Sequence, residues 1–256
     1  MRIVIYYFSG TGNTARIAEL MQSEFCGKDQ ECEIIPIESI TLNEEPLRMQ
    51  GYDLVGIGYP VHAMDAPQIV YDFIDLLPKA RQAYFMFKTA GSTLLYGGSS
   101  YKLKAKLANL GWRLRHEELY KMPPNMFRFP SKKKLERLYH DVTQQIPNVV
   151  GQILNGEKKV LPDSELQRVA YKFADLEKHG CKQSSDRWFV SQDCISCGLC
   201  AKQCPTHNIR LVENKLVFGQ TCILCLRCWW HCPTRALKHS RMNPFFLKKP
   251  YILPEK

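Results

Sequence analysis

Two hydrophobic rhythms alternate through the first half of the chain. Strand-like segments recur near 2–8, 31–37, 53–58, 82–88 and 112–119. The first, Arg2-Ile3-Val4-Ile5-Tyr6-Tyr7-Phe8, is a β-branched and aromatic run of the kind buried on both faces. Segments of helical period lie between them, near 13–26, 66–77 and 99–110. In the first of these, Ile17, Ala18, Met21 and Phe25 share one face. Strand and helix in alternation predict an α/β domain, a parallel sheet with helices on both faces.

The second half follows a different pattern. Met122-Pro123-Pro124-Asn125-Met126-Phe127 leaves the last strand with proline punctuation and is expected to fold back near any ligand at the strand ends. Residues 131–154 then read as helical, with Leu135, Leu138, Tyr139, Val142 and Ile146 on one face and a break at Pro147. A second helix opens on the capping box Ser164-Glu165-Leu166-Gln167 and ends at Gly180, with an apolar stripe of Leu166, Val169, Ala170, Phe173 and Leu176. Stripes of this kind mean packing rather than cofactor chemistry, so the two helices read as a spacer. Farther on, 209–212 and 215–218 flank Glu213-Asn214, a small hairpin.

Chemistry enters with the cysteines. Eight of the eleven fall in two copies of C-x2-C-x2-C-x3-C-P: Cys194, Cys197, Cys200, Cys204 with Pro205, and Cys222, Cys225, Cys228, Cys232 with Pro233. Three cysteines three residues apart let a short loop curl so that their sulfurs point inward. The fourth lies past the loop and points to a neighbouring site. One [4Fe–4S] cluster is therefore assigned to Cys194, Cys197, Cys200 and Cys232, the other to Cys222, Cys225, Cys228 and Cys204. Zinc favours ligands in two pairs and fits this pattern poorly. Disulfides fit less well, since such dense spacing cannot all be bridged.

Residues 190–240 resemble the bacterial-type ferredoxin with two [4Fe–4S] clusters. Cys-Pro-Thr follows each run, and the halves repeat at a spacing of 28 residues. The unit has little core and would lean on its clusters for folding. Trp229 and Trp230, inside the second run, would shield a cluster, dock a partner or simply pack.

A second signal follows the first strand. Ser9-Gly10-Thr11-Gly12-Asn13-Thr14 joins it to a helix N-terminus, where free N–H groups and the helix dipole converge on an anion. Gly10-x-Gly12-x-x-Ala15 also fits a dinucleotide fingerprint, with Glu38 near the end of the second strand. The hydroxyls and amide of Ser9, Thr11, Asn13 and Thr14, turned inward, suit the three oxygens of a terminal monophosphate. That favours FMN over NAD.

Residues 1–122 resemble flavodoxin. The resemblance implies a five-stranded doubly wound sheet in the order 2-1-3-4-5, with FMN held by three loops. The second loop follows the third strand as Tyr59, Pro60, Val61, His62 and Ala63, and the third follows the fourth strand as Thr89, Ala90, Gly91 and Ser92. Tyr59 or Tyr96 would stack on the ring, and Tyr96-Gly97-Gly98 extends the third loop. Many flavodoxins place glycine in the second loop; here stand Ala63-Met64-Asp65. His62 is the one imidazole in a ring loop, either a weak catalytic candidate as proton donor or a plain surface residue.

Charge grows toward the C-terminal end. Residues 1–125 hold 13 basic and 14 acidic side chains, 126–190 hold 12 and 8, and 191–256 hold 10 and 3. A nucleic-acid partner is set aside, because two clusters and a phosphate bring about −6 in cofactor charge and leave the loaded chain near +4. The basic surface would instead meet an acidic redox protein, ferredoxin- or flavodoxin-like. The tail 241–256 reads as an extended basic strap. No run reaches the roughly 18 apolar residues of a transmembrane segment, and the N-terminus enters a core strand without a signal. Cys26, Cys32 and Cys181 read as unpaired thiols, and the clusters call for a reducing, cytoplasmic setting.

As a whole the chain resembles flavodoxin–ferredoxin fusion proteins. The expected layout is a flavodoxin-like FMN-binding domain at 1–125, a helical linker at 126–185, a two-cluster α+β ferredoxin domain at 186–240 and the tail. The expected function is electron transfer between clusters and FMN within one chain. A reductase passing electrons to a small acceptor (quinone, flavin or unsaturated compound) is the alternative, and only that reading makes the chain an enzyme. A redox sensor ranks third. A homodimer would also bring clusters and flavin of two chains together.

Overall fold

The computed structural model describes residues 1–42, 47, 49–62, 64–92, 96, 98–126, 130–162, 185–240 and 250–251. Ala63, Gly97, Phe127, Cys181, the helix expected from Ser164 to Gly180, and the tail apart from Pro250 and Tyr251 lie outside the described residues.

The N-terminal part is the expected doubly wound fold. Strands β1 (Arg2–Tyr7), β2 (Glu31–Pro36), β3 (Leu54–Pro60), β4 (Ala83–Ala90) and β5 (Arg113–Lys121) form one parallel sheet in the order β2-β1-β3-β4-β5. Helices α1 (Asn13–Cys26), α3 (Gln68–Asp75) and α4 (Tyr101–Asn109) match the periodic segments, and a short α2 (Glu38–Thr41) adds a turn the pattern did not announce. Central strands are buried on both sides, so they read as continuous apolar runs rather than alternating ones. Gly56 and Gly58 on β3 leave room for Phe85 and Phe87 of β4, whose rings occupy the space a Cβ would need.

One core lies under α1 and a second under α3 and α4. The first is completed by α5 (Lys132–Leu154), capped by Ser131, whose hydroxyl accepts from the Lys134 N–H at 3.3 Å. The expected break at Pro147 is not found: α5 runs 23 residues straight through it. A helix-interior proline costs about 3 kcal/mol. Against that, Val142, Ile146, Val149, Val150 and Ile153 are each at most 5% exposed, and each burial is worth roughly 1.5–3 kcal/mol. Packing outweighs the lost hydrogen bond. Thus α5 lies directly on the sheet domain, while Leu135 near its start belongs to the core around Trp188 and Trp230.

The C-terminal part is small and cysteine-rich. Strands β6 (Trp188–Val190) and β9 (Leu237–His239) pair antiparallel and close the unit, and β7 (Ile209–Val212) and β8 (Lys215–Phe218) form the expected hairpin. Glu213 and Asn214 both take positive φ (47° and 61°), the two-residue turn that matches strand twist. Short helices α6 (Leu199–Lys202) and α7 (Arg227–His231) follow the two cysteine loops. The sequence repeat is also a backbone repeat. Positive φ occurs at Ser196, Gly198 and His207, and again 28 residues later at Leu224, Leu226 and Arg235.

Candidate functional site

Three loops meet at the carboxyl ends of β1, β3 and β4 and line one cavity of about 780 Å³. Ser9–Thr14 forms its anion end. Ser9 Oγ accepts from the Gly12 N–H at 3.2 Å, and Gly12 takes φ +104° as the cap of α1. The Thr11 hydroxyl is buried without a hydrogen-bond partner. An orphaned donor beside a helix N-terminus fits a phosphate oxygen. The Thr14 hydroxyl shares a hydrogen bond with Thr89 at 2.8 Å and so ties the first loop to the third. Asn13 also lines the cavity, with its amide already engaged. Its Nδ2 donates to the Pro123 carbonyl at 2.9 Å and approaches Tyr251 Oη at 3.0 Å. The two prolines interrupt the backbone ladder, and Asn13 satisfies the carbonyl they leave. Pro123 to Met126 do fold back over the cavity.

The second loop is a tight turn. His62 and Asp65 exchange backbone hydrogen bonds at 2.9 Å, Met64 between them has φ +60°, and the buried Asp65 carboxylate accepts from the Ala66 N–H and Tyr71 hydroxyl, both at 2.7 Å. Pro60, Val61 and His62 line the cavity, as do Thr89, Ala90, Gly91, Ser92 and Tyr96. The Tyr59 side chain does not. It is fully buried in the core under α3 and α4, its hydroxyl 3.4 Å from Met86 sulfur. Tyr59 still belongs to β3, and strand alternation sends its ring to the same side as Ile57. Of the two stacking candidates, Tyr96 is at the cavity.

Beneath the third loop lies a buried ion pair. Lys88 Nζ is 2.7 Å from Glu117, both side chains are fully inaccessible, and Lys104 reaches the same carboxylate at 3.0 Å. Burial would raise the Glu117 pKa, but the Lys88 charge and donors from Lys88 and Ser100 outweigh it and hold the acid below its ordinary range.

The fourth wall comes from the other half of the chain. Cys222, Ile223, Leu224, Cys225 and Leu226 line the same cavity. A Cβ on Gly10 would overlap the Cys225 carbonyl oxygen and lie 3.3 Å from Cys225 Cβ. Arg227 rivets the contact. It donates to the Ser9 carbonyl at 2.6 Å and the Gln203 carbonyl at 3.3 Å, pairs with Glu38, and lies over the Phe8 ring at 5.6 Å. The acid a dinucleotide ribose would need is thus engaged by Arg227. The sequence points to Ser9, Gly10, Glu38, Cys222 and Cys225 separately, but not to Arg227 or to the contact that joins them.

One set of cysteines shares a cavity. Cys194, Cys197, Cys200 and Cys232 line one small cavity walled by Val190, Leu216 and Leu237. Cys204 acts electrostatically on Cys222, Cys225 and Cys228, and Cys200 acts on Cys228 as well. Burial pushes the Cys200 thiol up to about 11 and Cys225 up to about 12. Burial acts the same way on Cys232, but the Leu237, Ala236 and Thr234 N–H groups prevail and hold it low. The Asn208 N–H reaches Cys204 sulfur at 3.2 Å and the Leu224 N–H reaches Cys222 sulfur at 3.4 Å. Four sulfurs gathered around an apolar void, with N–H donors aimed at Cys232, fit an iron–sulfur cluster. Among the described residues no three His, Cys, Asp or Glu converge on a single-ion site.

Comparison with known proteins agrees at both ends. A flavodoxin-domain family model matches residues 4–119 and a 4Fe-4S binding-domain model matches residues 188–210. The chain carries a flavodoxin domain followed by a 4Fe-4S ferredoxin domain. The flavodoxin domain implies FMN, and the 4Fe-4S domain at least one cluster. No curated protein matches the chain. Among solved structures, an NADH:FMN oxidoreductase is 18% identical over 65% of this chain and 93% of its own, with a TM-score of 0.45. Flavodoxin 2 from Bacillus cereus is 18% identical over 60% of this chain and 99% of its own, with a TM-score of 0.43. A flavodoxin from the domain Archaea is 14% identical over 60% of this chain and 99% of its own, at 0.39. Both domains are redox carriers and suggest redox partners. Among the described residues no helix is long and apolar enough to cross a membrane.

Proposed function

We propose that the chain is an electron relay, wiring two [4Fe–4S] clusters to one FMN. The observation that carries this reading is the shared wall: the ligand loop Cys222–Leu226 borders the cavity formed by the flavodoxin loops. When bound, a cluster passes single electrons and FMN accepts one or two. The chain's own residues supply the rest. Ser9, Gly10, Thr11, Gly12 and Thr14 would hold the phosphate, and the loops at Pro60–His62 and Thr89–Ser92 would orient the ring. Arg227 keeps the Cys225 loop against Gly10. Ile223, Leu224 and Leu226 exclude water between the two sites. Cys204, Cys222, Cys225 and Cys228 would hold the flavin-facing cluster; Cys194, Cys197, Cys200 and Cys232 would hold the other. Fusion on one chain fixes the separation and removes a diffusional encounter. Exposed thiolate chemistry suits a reducing, cytoplasmic setting.

The test is anaerobic metal, sulfide and flavin analysis followed by stepwise reduction watched by visible and EPR spectra. About eight iron and one FMN per chain are expected for two four-iron sites. Full iron without flavin would remove the FMN assignment, and zinc in place of iron would end the redox account.

A second reading has one observation in its favour. His62 lines the cavity beside Met64 and Gln68, so a proton donor stands where a small acceptor such as a quinone would meet the ring. Turnover of quinones that drops in H62Q, with flavin content unchanged, is the outcome this reading expects.

A further inference from the structure

The two cysteine groups differ in what they face. One borders the flavin cavity. The other presents Cys197, the single exposed cysteine of the eight. Around it the surface is unusually apolar. Of the nine exposed large hydrophobic residues among those described, Ile195, Leu211, Val212 and Val217 lie on this cysteine loop and the adjoining hairpin, Ile195 at 64% exposure. Isolated exposed apolar residues need no explanation, but a contiguous group does.

The loop abuts the hairpin at its turn and along the side that carries Leu211 and Leu216. Ser196 Oγ donates to the Asn214 carbonyl at 3.1 Å, and a Cβ on Gly198 would lie 3.4 Å from Leu211 Cδ2. Strand pairing sets Arg210 opposite Val217 and Lys215 opposite Val212. These four share the outer face of the hairpin, since strand positions two apart point the same way. The face therefore alternates apolar and cationic groups. Glu213 is the lone acid between Ile209 and Phe218. An apolar centre with a charged rim is the anatomy of a transient protein interface, and the sign of the rim selects the partner.

We infer that this face docks an acidic one-electron carrier protein, whose reduced centre supplies the cluster held by Cys194, Cys197, Cys200 and Cys232. The inference rests on the relay reading. One electron leaves the carrier's reduced centre and one enters that cluster; no bond or proton is exchanged. The chain then has an outward electron port at Cys197 and an inward one at Cys225, with the flavin cavity beyond.

The experiment uses the full chain loaded with iron and FMN, mixed anaerobically in stopped flow with a reduced acidic ferredoxin. Cluster and flavin absorbance are followed separately. R210E/K215E lies off the cysteine loops and should lower the second-order rate of cluster reduction at least 10-fold at low salt. Wild type should slow as salt rises, as screening predicts for opposite charges. Dithionite should reduce both proteins equally, and I195S should slow the carrier reaction without a charge change. Equal carrier rates in wild type and R210E/K215E would overturn the docking site. So would a wild-type dimer that the variant abolishes while the carrier rate stands, because the face would then be a self-interface. Clusters that accept carrier electrons while the flavin stays oxidised would remove the relay but leave the docking result readable.

Discussion

The guanidinium of Arg227 donates to the backbone carbonyl of Ser9 at 2.6 Å across 218 positions of sequence. Ser9 opens the anion loop, and Arg227 sits between Cys225 and Cys228, proposed above as cluster ligands. The same side chain pairs with Glu38. Replacing Arg227 with Gln should leave iron content near normal and cost about 2 kcal/mol, the scale of a lost charged hydrogen bond. The rate at which reduced clusters bleach the flavin should fall at least 10-fold, read by pulse reduction. An unchanged rate would show that the contact does not hold the two sites together.

Gly10 and Gly12 separate two effects within one loop. G10A pushes a methyl into the Cys225 carbonyl, so it should part the two domains and slow transfer. At Gly12 nothing lies within 4 Å of a built Cβ, but φ is +104°. G12A should therefore cost roughly 1–3 kcal/mol of local strain and weaken FMN binding without moving the cluster loop. FMN affinity and domain contact, the latter read by limited proteolysis, should respond in opposite proportion in the two variants.

Thr11 offers a test of opposite signs. Its hydroxyl is buried and unpartnered. T11V should leave the flavin-free protein as stable or more so. FMN binding should weaken roughly tenfold, about 1.4 kcal/mol for one hydrogen bond. Fluorescence titration of FMN reads the affinity and thermal melts read the stability. If both were unchanged, this hydroxyl would not meet the phosphate.

Acid should destabilise the flavodoxin domain through Glu117 and Glu118. Burial acts to raise both pKa values. Lys88 with Ser100 prevails for Glu117, and His116 with Lys159 for Glu118, so both are depressed in the folded state. Their contribution is present above the ordinary glutamate value of about 4.3 and is lost as pH falls through the lower folded values. E118Q should flatten the fall of Tm below that pH. K88M leaves the buried Glu117 with Lys104 as its one remaining ion-pair partner among the described residues and should cost about 3 kcal/mol at neutral pH. The double variant K88M/E117L should recover most of it.

Pro147 leaves the Thr143 carbonyl without its helical donor. P147A should raise stability by about 1–3 kcal/mol, seen as a higher Tm, with iron and flavin content unaltered. Pro147 itself is exposed, so the substitution removes no core contact, and a fall in stability would count against the helix-interior cost.

Much was readable because it is local. Continuous apolar runs and 3.6-residue periods write the strands and helices of the sheet domain, and the strand–helix alternation admits few topologies, of which 2-1-3-4-5 is the one found. The Glu213-Asn214 turn and the 28-residue repeat follow from short stretches whose geometry depends on their own residues. The shared cavity of Cys232 with Cys194, Cys197 and Cys200 follows the same logic, because a cysteine past its own loop points to the neighbouring one. Tertiary packing decided the rest. It carried α5 through Pro147, since five buried side chains outweigh one lost hydrogen bond. It turned Tyr59 into the core, since β3 runs two residues farther than its apolar pattern suggested. It set the Cys222–Leu226 loop against Gly10 and left Cys197 outside, because domain docking depends on surface shape between residues some two hundred positions apart, and no local period encodes that distance.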